Sequence, residues 1–328
     1  MEDARRRLLV AGGALLAPSA LFAQASGQKV ARIGWLTPGS PSSAKRNIEP
    51  FKQRLRELNY VEGRNVIIDA HWAEGDPAKL PALAKELVRR KVDLIIAAGT
   101  TGAQAAKAAT STIPIVAAAS GDLTEGGLVA SLDKPGGNLT GVAVVYSETA
   151  AKQLGVIRDV VPLARRVAVL WPGPRTVSYQ RQRKELEATA PPRHELTWHT
   201  ANSRSDLPPV FEAIQVYRPD FLLVLTDAFY FTYRKELAAH AAKAKLPAVY
   251  AFREFVEEGG LMSYGANIAQ SYRTAADYVD RILKGASPAE LPVQLPSKLE
   301  LAVNITAARA VGLSFPQAVL ARADLIVH

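Results

Sequence analysis

Two successive series of short apolar runs, each alternating with amphipathic helical segments, constrain this chain more than any single motif. Residues 30–36, 65–71, 92–98 and 113–119 are β-rich runs of strand length with little in–out alternation, the pattern of strands covered on both faces. Between them Ile48, Phe51, Leu55 and Leu58 fall on one helical stripe. Leu80, Leu83 and Leu87 form another, led by Asp76 as N-cap and Pro77 in the first turn. A strand-like run at 139–145 leads into a helix starting near Glu148, and a second series follows. Its strands are expected at 166–171, 193–200, 220–226 and 248–250, with helices near 178–190, 205–217 and 230–244. Alternation of this kind predicts an α/β fold with parallel, helix-covered sheets, and two series in tandem predict two lobes. The first crossing between them falls at 139–148. A short strand at 261–264, followed by an amphipathic helix at 271–284 carrying Tyr272, Ala275, Ala276, Val279, Ile282 and Leu283, is a natural second crossing. The tail from Leu291 has a proline-spaced linker, a strand near 299–304 and a last helical pair, and a third crossing is compatible with it.

The N-terminus adds an address. Arg5, Arg6 and Arg7 precede an apolar run over 8–22, and Ala23-Gln24-Ala25 supplies a small-x-small cleavage site. Gly12, Gly13 and Pro18 interrupt that run, which is shorter than the roughly 20 residues of a membrane span. Residues 1–25 therefore read as a signal peptide, of Sec type or loosely of twin-arginine type, that sends the product to the periplasm. About 300 residues follow it, enough for two domains of roughly 150 each. With 48% hydrophobic and 22% charged residues the chain is a globular one. Its net charge of +9 is scattered among acidic residues on helical segments, which describes solvated helix faces and excludes a nucleic-acid partner.

The chain has no cysteine, so a thiol nucleophile, a disulfide and a cysteine-bound metal are excluded. Its five histidines show no metal-binding spacing. There is no Gly-x-Ser-x-Gly elbow, no Walker-type lysine loop and no matched pair of carboxylates at strand ends. The sequence thus offers no catalytic constellation, no metal site and no cofactor site.

Ligands of open α/β sheets bind beyond the carboxyl ends of the strands. In the first lobe these ends read Thr37-Pro38-Gly39-Ser40-Pro41-Ser42-Ser43, Gly99-Thr100-Thr101-Gly102 and Ser120-Gly121-Asp122. Each places hydroxyls and backbone N–H groups at a helix start, where the helix dipole favours an anion. Ordinary N-capping explains any one of them; three at successive strand ends point to a site for a carboxylate or phosphate. In the second lobe the ends carry Trp171-Pro172-Gly173-Pro174, Thr226-Asp227-Ala228-Phe229-Tyr230 and Tyr250-Ala251-Phe252-Arg253, and Tyr264 marks the second crossing. Ring faces opposite an anion site, with Asp227 to receive an ammonium, describe an amino-acid pocket, although core packing accounts equally for each ring taken singly. Phe231 and Tyr233 read as surface or structural packing.

The chain resembles the ABC transporter substrate-binding proteins of tryptophan or tyrosine type over its whole mature length. The resemblance is carried by Glu57-Leu58-Asn59-Tyr60-Val61-Glu62-Gly63-Arg64-Asn65, Ala73-Glu74-Gly75-Asp76-Pro77, Thr110-Ser111-Thr112-Ile113-Pro114, Gly126-Gly127-Leu128-Val129-Ala130-Ser131-Leu132, Pro135-Gly136-Gly137-Asn138-Leu139-Thr140-Gly141, Gly259-Gly260-Leu261-Met262-Ser263-Tyr264-Gly265 and Leu320-Ala321-Arg322-Ala323-Asp324. It implies a type I periplasmic binding protein fold, with two Rossmann-like lobes, three hinge crossings and a solute held between the lobes. The lobes expected are 29–144 plus 265–290 and 145–264 plus 291–328, hinged near 142–148 and 264–268. It further implies a monomer that is no enzyme and hands a small solute to the transmembrane subunits of an ABC permease. On this reading Ser40, Ser42, Thr100, Thr101, Ser120 and Asp122 surround the carboxylate, Asp227 orients an amine, and Trp171, Tyr230, Tyr250 and Tyr264 form the apolar walls. Two other classes remain open at this point. One is a periplasmic sensor working through a receptor kinase or chemoreceptor; the other is an exported hydrolase.

Overall fold

The apolar runs form two separate sheets. The computed structural model describes residues 30–328 apart from positions 125, 145, 175, 176, 193 and 297; the leader expected over 1–25 lies outside the described residues. The first series comprises β1 (Ala31–Thr37), α1 (Pro41–Glu57), β2 (Val66–Trp72), α2 (Leu80–Arg89), β3 (Leu94–Ala98), α3 (Gly99–Ala109), β4 (Ile115–Ser120) and β5 (Leu139–Ala143). The second comprises α4 (Tyr146–Val160), β6 (Arg166–Trp171), α5 (Val177–Thr189), β7 (Glu195–Thr200), α6 (Leu207–Tyr217), β8 (Phe221–Val224), α7 (Ala228–Thr232), α8 (Arg234–Lys243), β9 (Ala248–Tyr250), α9 (Arg253–Glu257) and β10 (Met262–Ala266). The tail adds α10 (Ile268–Leu283), β11 (Leu299–Asn304), α11 (Ile305–Ala310), α12 (Gln317–Leu320) and β12 (Leu325–Val327).

Five parallel strands in the order β2-β1-β3-β4-β5 make the first sheet. The second runs β12-β11-β10-β9-β8-β6-β7, parallel throughout except for the antiparallel pair β10–β11. All residues of β3, β4, β5 and β8 are buried, as expected for strands covered by helices on both faces. Among the described residues no helix is long and apolar enough to cross a membrane.

The chain passes between the sheets three times: after Ala143, after Ala266 and beyond Gln294. The first and third passages run side by side, with Ala143 N donating to Gln294 O at 2.9 Å and Gln294 N to Gly141 O at 2.9 Å. Position 145, within the expected hinge at 142–148, lies outside the described residues. At the second passage α10 leaves β10 and packs on the first sheet. Trp35 of β1 is wholly buried between Phe51 of α1, edge-on at 5.2 Å, and Tyr272 of α10, stacked at 5.4 Å. Arg54–Asp277 at 2.8 Å, Arg273–Glu57 at 2.7 Å and the Tyr60 hydroxyl donating to Asp280 at 3.1 Å fasten the outer edges of α1 and α10.

Three local features differ from the sequence expectation. The helix expected over 230–244 is two, α7 and α8, divided at Tyr233, because Asp227 caps a separate first turn by accepting from Phe229 N at 2.8 Å. The short helix α9 follows β9 where only a loop was expected. The tail ends in β12, which pairs parallel to β11 at the sheet edge, beyond the expected helical pair.

Two tests follow from this packing. A Cβ at Gly265 would sit 1.9 Å from the carbonyl oxygen of Ala251, so Gly265→Ala must push backbone off backbone inside the second sheet. The expected loss is about 2–4 kcal/mol, measured by denaturant titration. Glu254 on α9 is 6% exposed, and burial raises its pKa, so the folded chain holds this proton to higher pH than the unfolded chain does. The unfolded chain releases that proton first as pH rises, so stability falls with pH above the ordinary carboxylate range. Glu254→Gln is therefore expected to stabilise the protein more at pH 8 than at pH 5, with no gain at pH 4.

Candidate ligand-binding cleft

In each sheet the first strand of its series lies between the second and third, so the loops after β1 and β3, and after β6 and β8, lead to helices on opposite faces. Such a switch point leaves a crevice at the carboxyl edge. The two crevices open into one cleft of about 280 Å³, just below the roughly 300–1,000 Å³ of ordinary small-molecule sites. That volume accommodates one small molecule.

One wall comes from strand ends of the first sheet: Thr37, Pro38 and Gly39 after β1, Ala98 through Thr101 after β3, and Ala119 near the end of β4. Helix α3 begins directly after β3 with Ala98 as its N-cap and no capping side chain. The first-turn N–H groups and the positive end of the dipole therefore meet the cleft without a resident oxygen from a cap. Thr100 Oγ1 accepts from Gly121 N at 2.8 Å, which ties the β4 loop to α3 and leaves the hydroxyl proton to donate elsewhere. Ala119 has φ of 51°, a conformation that costs a side-chain-bearing residue roughly 1–2 kcal/mol, where β4 shifts register against β5.

The opposing wall comes from the second sheet. Asp227 caps α7 through Oδ1, and its Oδ2 accepts from the Tyr179 hydroxyl at 2.7 Å. Phe229, Phe231 and Phe252 supply ring faces, the last two meeting edge-on at 5.6 Å. Ile268 and Tyr272 of α10 close the side between the walls. Among the described residues that line the cleft, Asp227 is the one charged side chain. The cleft thus offers a full negative charge on one side and a dipolar positive field on the other. Among the described residues no group of acidic or histidine side chains is placed to hold a metal ion.

Of the residues singled out from sequence, Thr100, Thr101 and Asp227 line this one cleft. The others do not. Ser40 and Ser42 pair with each other at 3.0 Å at the exposed start of α1. Ser120 is wholly buried, and Asp122 closes its own turn by accepting from Thr124 N and Oγ1 at 2.8 and 2.6 Å. Trp171 packs edge-on against Trp198 at 5.2 Å in the core on one face of the second sheet. Tyr230 is buried with its hydroxyl 3.4 Å from Ala201 N. Tyr250 is stacked on Phe255 at 4.5 Å, and burial raises the pKa of its hydroxyl. Tyr264 packs against the second core, and its carbonyl accepts from Gln153 Nε2 at 2.8 Å.

The physical reason is one of direction. Rings at the ends of central strands and on the inner side of α7 are absorbed by the core, and their neighbours along the chain reach the cleft. Phe229 and Phe231 flank buried Tyr230, and Phe252 lies two residues past buried Tyr250. Phe231 and Tyr233, expected at the surface or in structural packing, do pack, Phe231 on Phe252 and Tyr233 on Phe229 at 4.8 Å, and Phe231 is a wall residue as well. Tyr179 and Asn202 carried no sequence signal. Tyr272 did carry one, because it lies on the apolar stripe of α10, but the stripe alone does not say that one of its rings borders a ligand. Removing the Tyr179 hydroxyl deprives the Asp227 carboxylate of a donor, so Tyr179→Phe is expected to cost about 1 kcal/mol of stability in urea titration with an unchanged slope.

Against known proteins, a family model for ABC transporter substrate binding proteins matches residues 38–327. The tyrosine-binding protein of Clostridioides difficile (strain R20291) is 29% identical over 255 residues, which is 77% of this chain and 73% of that protein. A conserved domain protein from Vibrio cholerae superposes with a TM-score of 0.84 at 29% identity, covering 91% of this chain and 100% of that one. An ABC domain from Streptococcus pneumonia, solved in complex with L-Trp, superposes with a TM-score of 0.81 at 26% identity, covering 90% and 100%.

Proposed function

This chain belongs to the family of ABC transporter substrate binding proteins, a class without enzymatic activity, and on that premise we propose that its cleft captures an aromatic amino acid as the zwitterion. It is an extracytoplasmic solute-binding protein of an ABC transporter, and its family implies permease subunits as partners. The relatives named for tyrosine and bound to L-Trp support an aromatic amino acid as the solute. The observation that carries the reading is the placement of Asp227 across one hollow from the uncapped start of α3, with rings on the walls between them.

In this reading the solute's carboxylate lies at the first turn of α3, held by backbone N–H groups and by the Thr100 and Thr101 hydroxyls. Its ammonium meets the Asp227 carboxylate, whose oxygens each retain acceptor capacity beside the Phe229 and Tyr179 donors. Its ring lies against Phe229, Phe231, Phe252 and Tyr272. A carboxylate without an amine would bring no cation to Asp227 as the cleft closes, and an amine without a carboxylate would bring no anion to the helix start. Residues 29–144 plus 265–290 and 145–264 plus 291–328 act as the two lobes, and closure is favoured to the extent that the solute touches both at once. The leader at 1–25 directs the protein to the periplasm, where a monomer presents the closed lobes to the permease.

Calorimetric titration tests this. L-tryptophan or L-tyrosine is expected to bind, and indole-3-propionate, which is tryptophan lacking its amine, to bind at least tenfold more weakly. Asp227→Asn should weaken the amino acids by roughly 10- to 100-fold and narrow that gap, the size expected for a lost charge-assisted contact. Thr101→Val should weaken the amine-bearing and amine-free compounds alike. Equal binding of both by the unaltered protein would refute the zwitterion assignment.

A further inference from the structure

We propose that Arg46 is a positioning residue for solute retention: from α1 it spans the mouth of the cleft to Glu257 and Glu258 at the end of α9 and latches the closed lobes without touching the solute. Its guanidinium pairs with Glu257 through Nη1 and lies 3.8 Å from Glu258 through Nη2. Helix α1 covers the first sheet, and α9 lies between β9 and β10 of the second. Both elements also supply the cleft. Asn47, next to Arg46, lines it from α1, and Phe252, the N-cap of α9, lines it from the other side. The latch and the solute therefore pull on the same two helices.

The carboxylates are held in place from their own side. Arg253 Nε donates to Glu257 Oε1 at 3.1 Å, and Arg234, itself 9% exposed, reaches Glu258 at 3.4 Å. When the lobes part, Glu257 and Glu258 keep these partners and the Arg46 guanidinium, already 45% exposed as a side chain, returns to water. Opening thus strands no charge in the interior, and the contact is reversible. Because it joins the elements on either side of the cleft, parting them breaks it, and it shifts the open–closed equilibrium by its own differential energy whether or not solute is bound. Ion pairs of this exposure are weak singly and screened by salt, so the effect belongs in the dissociation rate and its salt dependence.

The inference rests on the aromatic amino acid reading of the cleft, and dissociation of radiolabelled L-tryptophan tests it. At about 50 mM salt, Arg46→Ala is expected to raise koff roughly threefold with kon unchanged. Raising salt to about 500 mM should speed release from the unaltered protein and leave Arg46→Ala flat. In a Glu257→Gln, Glu258→Gln background, Arg46→Ala should add nothing further. An unchanged koff, or effects that multiply independently, would overturn the latch. Should neither L-tryptophan nor L-tyrosine bind, the ligand reading fails while the latch is read from X-ray scattering of the free protein. There Arg46→Glu, which sets two carboxylates against a third, is expected to enlarge the radius of gyration at low salt; an unchanged radius overturns it.

Discussion

The burial of Trp35 between Phe51 and Tyr272 is the contact on which the architecture turns. Trp35 lies in the first strand and Tyr272 in a helix more than two hundred residues later, after the whole second sheet but for its last two strands has been laid down. For the stack to form, the chain must return to the first sheet, and it must then leave again to complete β11 and β12. The three crossings are thus a consequence of where one ring is buried. Aromatic pairs add roughly 0.5–1.5 kcal/mol each beyond the area they remove from water, and the flanking ion pairs between α1 and α10, a quarter to a third or so exposed, add less. Tyr272 also borders the cleft, so the group that closes the first sheet's core is also part of the cleft wall.

Much of the fold was legible because strands buried on both faces read as unbroken apolar runs, and because amphipathic stripes such as Ile48, Phe51 and Leu55 mark helices with one wet face. What escaped is short or set by a cap. The boundary between α7 and α8 depends on the Asp227 side chain turning back to Phe229 N, and β12 owes its existence to β11 beside it, since three residues at a sheet edge carry no period of their own. Gly141 shows the same limit from another side: its φ of 135° and the closeness of Ala117 to its missing Cβ are properties of the pairing between β4 and β5.

The cleft was legible as a place and less so as a set of residues. Strand-end position identifies loops, and Thr100, Thr101 and Asp227 came together because loops at the carboxyl edges of two sheets share one crevice. Which aromatic ring of a loop meets the solute depends on a difference of one or two residues. Tyr250 and Phe252 have similar sequence credentials; both are buried in one core, and the turn into α9 leaves an edge of the second bordering the cleft. Ser120 and Trp171 end strands as Thr37 and Ala98 do, yet the first pair is buried away from the cleft and the second pair borders it, a difference that strand-end position alone does not carry.

Among the described cleft residues Asp227 is the one charged side chain, and the proposed capture of a zwitterion turns on what faces it. An arginine on the α3 wall would pair with Asp227 across the cleft and hold the lobes together with no solute between them. The first turn of α3 carries only about half a charge, spread over amides fixed to the helix axis, and it cannot reach across to neutralise the carboxylate. On the proposed reading, a zwitterion inserted between the walls meets a field of opposite sign at each of its ends. In that proposal the solute's two charges favour closure, and the proposed Arg46 contact at the rim adds a smaller bias in the free and the loaded protein alike, one that salt screens.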